Sequence, residues 1–311
     1  MAYTFYILTE SEPGIETVYV TFQRGYQNTS YTLPDQYENL TIRADRNGDG
    51  IGNDLDNILR GNQGYNNLYG RAGNDTIYSG SGGNFYGEDG DDTFYAGSNA
   101  YNNSFGGVGN DIFYFGSNRL GSASGGLGDD TYVIESGRAD SISVMEAPNE
   151  GTDTVYASVS FITGDNIEFL ILTGTENISG TGGSAANYIS GNSGNNTLDG
   201  GLGADTLVGA SGDDVYFVDE AGDVVSELAS EGTDEVRSSV TYALSMNVEN
   251  LTLTGNDDIN GTGDGLANLL TGNGGDNTLT GNAGNDTLNG GLGTDILDGG
   301  LGADTLVGGL G

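Results

Sequence analysis

Aspartates recur through this chain at a fixed distance from glycines, a combination suited to holding hard cations in backbone turns. From Gly272 the chain reads GNGGDNTLT, GNAGNDTLN, GGLGTDILD, GGLGADTLV and GGLG, a strict nine-residue period. The same period governs 182–217 in GGSAANYIS, GNSGNNTLD, GGLGADTLV and GASGDDVYF. The pattern is G-G-x-G-x-D-x-U-x, with U a large apolar residue. Gly at the first, second and fourth positions permits positive φ and close backbone approach, which turns carbonyl oxygens towards a cation. The sixth position adds a charged oxygen. The tandem runs therefore nominate Asn196, Asp205, Asp214, Asn277, Asp286, Asp295 and Asp304 as ligands, with Gly203, Gly212, Gly284, Gly293 and Gly302 at the fourth position. Nearer the N-terminus, GRAGNDTIY (70–78), GEDGDDTFY (87–95), GGVGNDIFY (106–114) and GGLGDDTYV (125–133) recur every 17 to 19 residues. They nominate Asp75, Asp92, Asp111 and Asp130 with Gly73, Gly90, Gly109 and Gly128. The turns between them, SGSGGN, GSNAYN and GSNRLG, lack the Asp, so this half is expected to bind metal along one edge only.

Such turns need short strands to hold them. Residues seven to nine of each repeat form one, with the eighth side chain inward and its neighbours outward, as period-two alternation requires. Leu279, Leu288, Leu297 and Leu306 are the inward residues of the last run. Residues without the nonapeptide, 131–174 and 215–255, alternate apolar and polar side chains and are rich in β-branched and aromatic types. They read as strands of wider coils that need no metal. The expected fold class is all-β, with no significant helix.

The nonapeptide resembles that of the RTX, or haemolysin-type, calcium-binding family, and the resemblance covers most of the chain. It implies a right-handed parallel β-roll or β-solenoid in which two nonapeptides make one coil. Turns eighteen residues apart then stack, as Asp286 and Asp304 or Asn196 and Asp214 would, with multiple Ca2+ ions between them. It further implies a secreted protein, exported unfolded by a type I system and folded outside the cell.

The stretch ADRNGDGIGNDLDN (44–57) places Asp45, Asn47, Asp49 and Asp56 where an EF-hand loop wants oxygens. It aligns, however, on GNDDINGTGDGLAN within a longer repeat, the loop and first turn of a module, which argues against a free-standing EF-hand and leaves two readings of Asp45, Asn47, Asp49 and Asp56, ligands of a local calcium site or a solvated acidic bend. Residues 151–209 align without a gap on 232–290, and 31–78 on 242–289. One continuous solenoid of three related modules, 1–124, 125–208 and 209–311, is expected.

Composition limits the partners. Forty-five acidic residues against eight basic ones give a formal net charge of −37, which repels nucleic acid and argues against membrane insertion. With no His and no Cys, triads, thiol dyads and zinc-protease motifs are excluded within the chain. Abundant Asp makes chance carboxylate pairs of the glycosidase or lyase kind inevitable, but the chain has no cleft-forming insertion, and no enzyme is expected. Fifty-seven glycines and 35% apolar residues leave too thin a core to fold without neutralising ions.

The expected function is that of a calcium-dependent extracellular structural protein, a filament, surface-layer or matrix subunit. The N-terminal AYTFYILTES resembles the internal continuations DDTYVIES and DDVYFVDE, so the solenoid ends are expected to stack head to tail into a homo-polymer. The alternative is a folding, secretion or adhesion module of a larger RTX exoprotein. Tyr78, Tyr95 and Tyr114 fall on the outward ninth position of successive coils and should form a ladder that stabilises its own sheet or stacks on a surface polysaccharide.

Overall fold

The computed structural model describes residues 6–12, 15–22, 29–43, 47–96, 101–116, 120–135 and 142–311. Every regular element among them is a β-strand, and no helix is long and apolar enough to cross a membrane. The chain divides into two units, residues 1–157 with 164–167, and residues 158–163 with 168–311.

In the first unit, parallel strands Ile15–Thr21, Asn39–Arg43, Ile58–Arg60, Thr76–Tyr78, Thr93–Tyr95, Ile112–Phe115, Thr131–Ile134 and Thr154–Ala157 form one face. Ser30–Thr32, Asp49–Ile51, Leu68–Ala72, Gly83–Asp89, Tyr101–Val108, Leu120–Leu127 and Ile142–Val144 form the other. Successive strands of a face are separated in sequence by a strand of the other, which makes a β-solenoid. One element departs from the expected pattern. Tyr6–Glu12 runs antiparallel to Ile15–Thr21, with Tyr6 opposite Thr21 and Glu12 opposite Ile15, where the likeness to DDTYVIES implied a parallel coil. Only a short connection joins these two strands, and a short connection makes a hairpin, whereas a parallel pair needs a crossover.

The second unit is built the same way. Its longest sheet stacks Phe161–Ile162, Ser179–Thr181, Thr197–Asp199, Val215–Val218, Glu235–Ser238, Asn250–Leu253, Leu269–Thr271, Thr287–Asn289 and Thr305–Val307. Opposite lie Phe169–Leu172, Tyr188–Ser190, Thr206–Val208 and Val224–Ser226, and then Tyr242–Ala243, Gly261–Thr262, Thr278–Thr280 and Ile296–Asp298.

The eighth-position residues build the core as rungs. Ile77, Phe94, Phe113 and Tyr132 stack in register in the first unit, and Leu198, Tyr216 and Val236 in the second, all buried. Leu279 and Leu288 are inward as expected. Leu297 is half-buried and Leu306 is 46% exposed, because the strand bearing Leu306 lies at the sheet edge with no coil upon it. On the outer face Tyr78, Tyr95 and Tyr114 stack at 4.8 and 4.9 Å, and the Arg60 guanidinium lies 3.7 Å over the Tyr78 ring. Same-face stacking of this kind contributes about 0.5–1.5 kcal/mol per pair.

Candidate metal centre: two kinds of turn

The sixth-position residues form ladders along the solenoid edges. The backbone amide of Asn57 donates to Asp75 Oδ1, that of Asp75 to Asp92, Asp92 to Asp111, Asp111 to Asp130 and Asp130 to Asp153, at 2.6–2.8 Å. In the second unit Asn187 donates to Asp205, Asn196 to Asp214, Asn268 to Asp286, Asn277 to Asp295 and Asp286 to Asp304. The eighteen-residue stacking expected for Asn196 with Asp214 and Asp286 with Asp304 is thus present.

Asp and Asn at this position produce different turns. Where it is Asn, its Oδ1 accepts the amide of the repeat's second residue, four positions earlier: Asn53 to Asn57, Asn62 to Asn66, Gly183 to Asn187, Asn192 to Asn196, Asp264 to Asn268 and Asn273 to Asn277. The side-chain amide closes the turn further by donating to carbonyls of the coil before, as Asn196 does to Ile178 at 3.0 Å and Asn277 to Ile259 at 2.6 Å. Where the position is Asp, the second residue takes positive φ instead: Arg71, Glu88, Gly107, Gly126, Gly201, Ala210, Asn282, Gly291 and Gly300. The nominated fourth-position glycines Gly73, Gly90, Gly109, Gly128, Gly203, Gly212, Gly284, Gly293 and Gly302 do the same. No Asn turn shows a positive φ at either place.

The cause is the missing donor. A carboxylate has no hydrogen to offer the carbonyls that an Asn amide satisfies, so the turn opens. One oxygen is then left without a partner: Oδ2 of Asp75, Asp92, Asp111, Asp130, Asp205, Asp214, Asp286 and Asp295 is buried and accepts no hydrogen bond. Each points at the first glycine of its repeat, where a Cβ would collide with it, as at Gly70, Gly87, Gly106 and Gly125. An orphaned, buried, hard anionic oxygen in a glycine-walled turn fits a calcium ion. Asn196 and Asn277, nominated with the aspartates, sit in turns already closed by their own hydrogen bonds and offer no such oxygen.

Burial raises these acids. Desolvation pushes Asp75, Asp111 and Asp130 up to about 8 and Asp92 to about 7, and Asp205 and Asp214 to about 6. The backbone amide each accepts opposes the shift without cancelling it.

Of the EF-hand-like stretch, Asp45 lies outside the described residues. Asn47 accepts the Tyr65 amide, Asp49 sits in a strand and accepts the Asn67 amide, and Asp56 accepts the Asn74 amide, all from the next coil. Each has the ladder role of its own position in a coil.

Two constellations escaped the sequence reading. Among the described residues, Asp130, Glu146 and Asp153 bring one carboxylate oxygen each within 4.8 Å of one another, as do Asp214, Glu227 and Asp234. Both lie where the core residue is Tyr rather than Leu. The Tyr132 hydroxyl donates to Glu146 and the Tyr216 hydroxyl to Glu227, since a buried phenol needs a polar partner. The available signal was the shared spacing of Glu and Asp in MEAPNEGTD and SELASEGTD, inside segments expected to need no metal.

The fourth-position glycine gives a direct test of turn geometry. Gly109 has φ +134°, and a Cβ there would run into the Gly90 carbonyl. Gly109→Ala is expected to cost at least about 1–3 kcal/mol from backbone strain, read by denaturant unfolding in saturating calcium.

A model of the RTX calcium-binding nonapeptide repeat (4 copies) matches residues 51–86, 84–100, 181–216, 262–297 and 285–311. No curated protein matches the chain.

Proposed function

This chain carries RTX calcium-binding nonapeptide repeats, and from that premise we propose that it is a calcium-dependent extracellular structural protein whose solenoid turns close around ions met outside the cell. The observation that carries the reading is the row of orphaned Oδ2 atoms in open turns. Asp75, Asp92, Asp111 and Asp130 would hold ions in the first unit, and Asp205, Asp214, Asp286 and Asp295 in the second. Calcium bound there supplies the positive charge that these oxygens lack. Without it, a chain of net charge −37 with so thin a core cannot offset its conformational entropy. Folding and metal binding are then one equilibrium, with sites of the weak extracellular class near 10⁻⁴–10⁻³ M on order of magnitude. The role is binding and architecture rather than catalysis.

The finer reading is self-assembly. The edge strand Thr305–Val307 leaves its ladder open, and Leu301, Leu306, Val307 and Leu310 are exposed beside it. An uncovered apolar edge is a template for another strand. A second copy stacked there gives a filament. The same edge favours the second reading, a calcium-binding module of a larger exoprotein, in which a further coil covers it.

Calcium titration of the full chain from chelated to millimolar, followed by circular dichroism and light scattering, tests both levels. The expected result is β-structure appearing with calcium, together with mass growing far beyond 32 kDa. β-Structure without mass growth removes the filament and leaves the module. Unchanged dichroism removes calcium-coupled folding.

A further inference from the structure

Glu227 lies outside the nonapeptide pattern. It follows the strand Val224–Ser226 and reaches the turn of Gly209 to Asp214, where Asp234 arrives from the next coil. Asp214 and Asp234 are each 1% exposed and Glu227 7%. The Asp214 amide donates to Asp234 Oδ1 at 2.8 Å, and the Asp234 amide to Glu249 Oε2 at 2.9 Å. Two oxygens remain that accept nothing, Asp214 Oδ2 and Glu227 Oε2. Gly209 keeps space open beside Asp214 Oδ2, since a Cβ there would meet that oxygen, the Tyr216 hydroxyl and Glu227 Oε1, which accepts from the hydroxyl.

Among the described residues no basic side chain balances this charge. The only ion pair among the described residues joins Arg237 to Glu235, and Glu231 adds another negative group close to Glu227. Three carboxylates removed from water without a counter-charge are strongly unfavourable. A bound cation removes that penalty. The single-Asp turns offer one carboxylate each, and affinity of hard-cation sites rises with the number of charged ligands.

We propose that Asp214, Glu227 and Asp234, with the Tyr216 hydroxyl, form a three-carboxylate site for one divalent cation of the calcium class, tighter than the single-Asp turns of the same solenoid. The inference rests on the calcium reading above but concerns a ligand, Glu227, that the repeat does not supply. The Asp130, Glu146 and Asp153 constellation is less demanding, because Glu146 is only half-buried and its oxygens accept the Gly125 and Gly126 amides at 2.9 and 3.2 Å.

Terbium luminescence sensitised by tyrosine, with bound calcium counted by native mass spectrometry on the full chain, tests the site. No Tyr follows Tyr242, so ions in the last tandem turns lack a nearby sensitiser. Glu227→Gln is expected to remove one bound ion, weaken the tightest class of site about tenfold and lower the emission. Tyr216→Phe removes both the sensitiser and the hydroxyl that holds Glu227, so it should lower the emission and weaken the same ion, and it carries the test if Glu227→Gln does not fold. Unaltered emission and ion count in Glu227→Gln, alongside a raised calcium requirement for folding in Asp286→Ala, would sink the triad and leave the calcium reading standing. Unaltered behaviour in both variants overturns both.

Discussion

Stripped of calcium by chelation, the chain is expected to hold its β-structure near pH 4 and to lose that of the first unit as pH rises between about 4 and 8. The acids responsible are Asp75, Asp92, Asp111 and Asp130, which burial lifts from 3.8 to about 8, 7, 8 and 8 in the folded chain. A carboxyl raised on folding binds more protons folded than unfolded between the two values, so stability falls with rising pH over that window. The contribution is complete below the unfolded value of 3.8 and gone once pH passes the folded values. Chemically, a protonated Oδ2 gains the donor that Asn has and carboxylate lacks. General repulsion among exposed carboxylates acts in the same direction. Calcium takes the proton's place and should abolish the transition. Circular dichroism against pH, in chelator and in millimolar calcium, reads both arms. A chelated chain still β-structured at pH 9, or one whose transition calcium does not move, contradicts the account.

Much of this arrangement is legible in residue types alone. The nine-residue period fixes which side chains face inward, and Leu279 and Leu288 obey it because a coil covers them on either side. Leu306 obeys the same period but stays exposed, since burial depends on a neighbouring coil and periodicity carries no information about neighbours. The ladder of Asp75, Asp92, Asp111 and Asp130 follows from their spacing, which brings equivalent positions of successive coils together. The difference between Asn and Asp does not. Both satisfy the pattern as oxygen donors, and only the backbone at the second position, φ +69° at Ala210 but not positive at Asn192, separates a turn closed on itself from one that leaves an oxygen free. Glu227 was hidden because it reaches the Gly209 turn from a segment with no repeat of its own. Its signals were indirect, the spacing shared by MEAPNEGTD and SELASEGTD and a Tyr at the core position whose hydroxyl required a partner.

Asn and Asp turns differ by one isosteric exchange, so when calcium is absent Asp111→Asn should stabilise the chain and Asp111→Ala should gain little. Asp111 is fully buried, its Oδ1 accepts the Asp92 amide, and its Oδ2 accepts nothing. Asn removes the buried charge. It also supplies a side-chain donor, and Gly107 at the second position can leave its φ of +127° for the closed form at no steric cost. Satisfying a formerly orphaned buried group contributes about 1–3 kcal/mol, so in chelator Asp111→Asn is expected to be more stable than the natural chain by that order. Ala removes the charge but offers neither acceptor nor donor, leaving the Asp92 amide without its partner, and should gain little. In saturating calcium the ranking reverses for Asn, because one ligand is gone and the ion no longer stabilises that coil. Denaturant unfolding of the three chains in saturating calcium, and the pH at which each loses its β-structure in chelator, together measure the crossing. If Asn and Ala behave alike in chelator, closure by the side-chain amide is not what distinguishes the two turns. If the Asn variant loses nothing in calcium, Asp111 is not a ligand. The crossing itself would mean that this solenoid sets its calcium requirement coil by coil, through the choice of Asp or Asn at one position of nine.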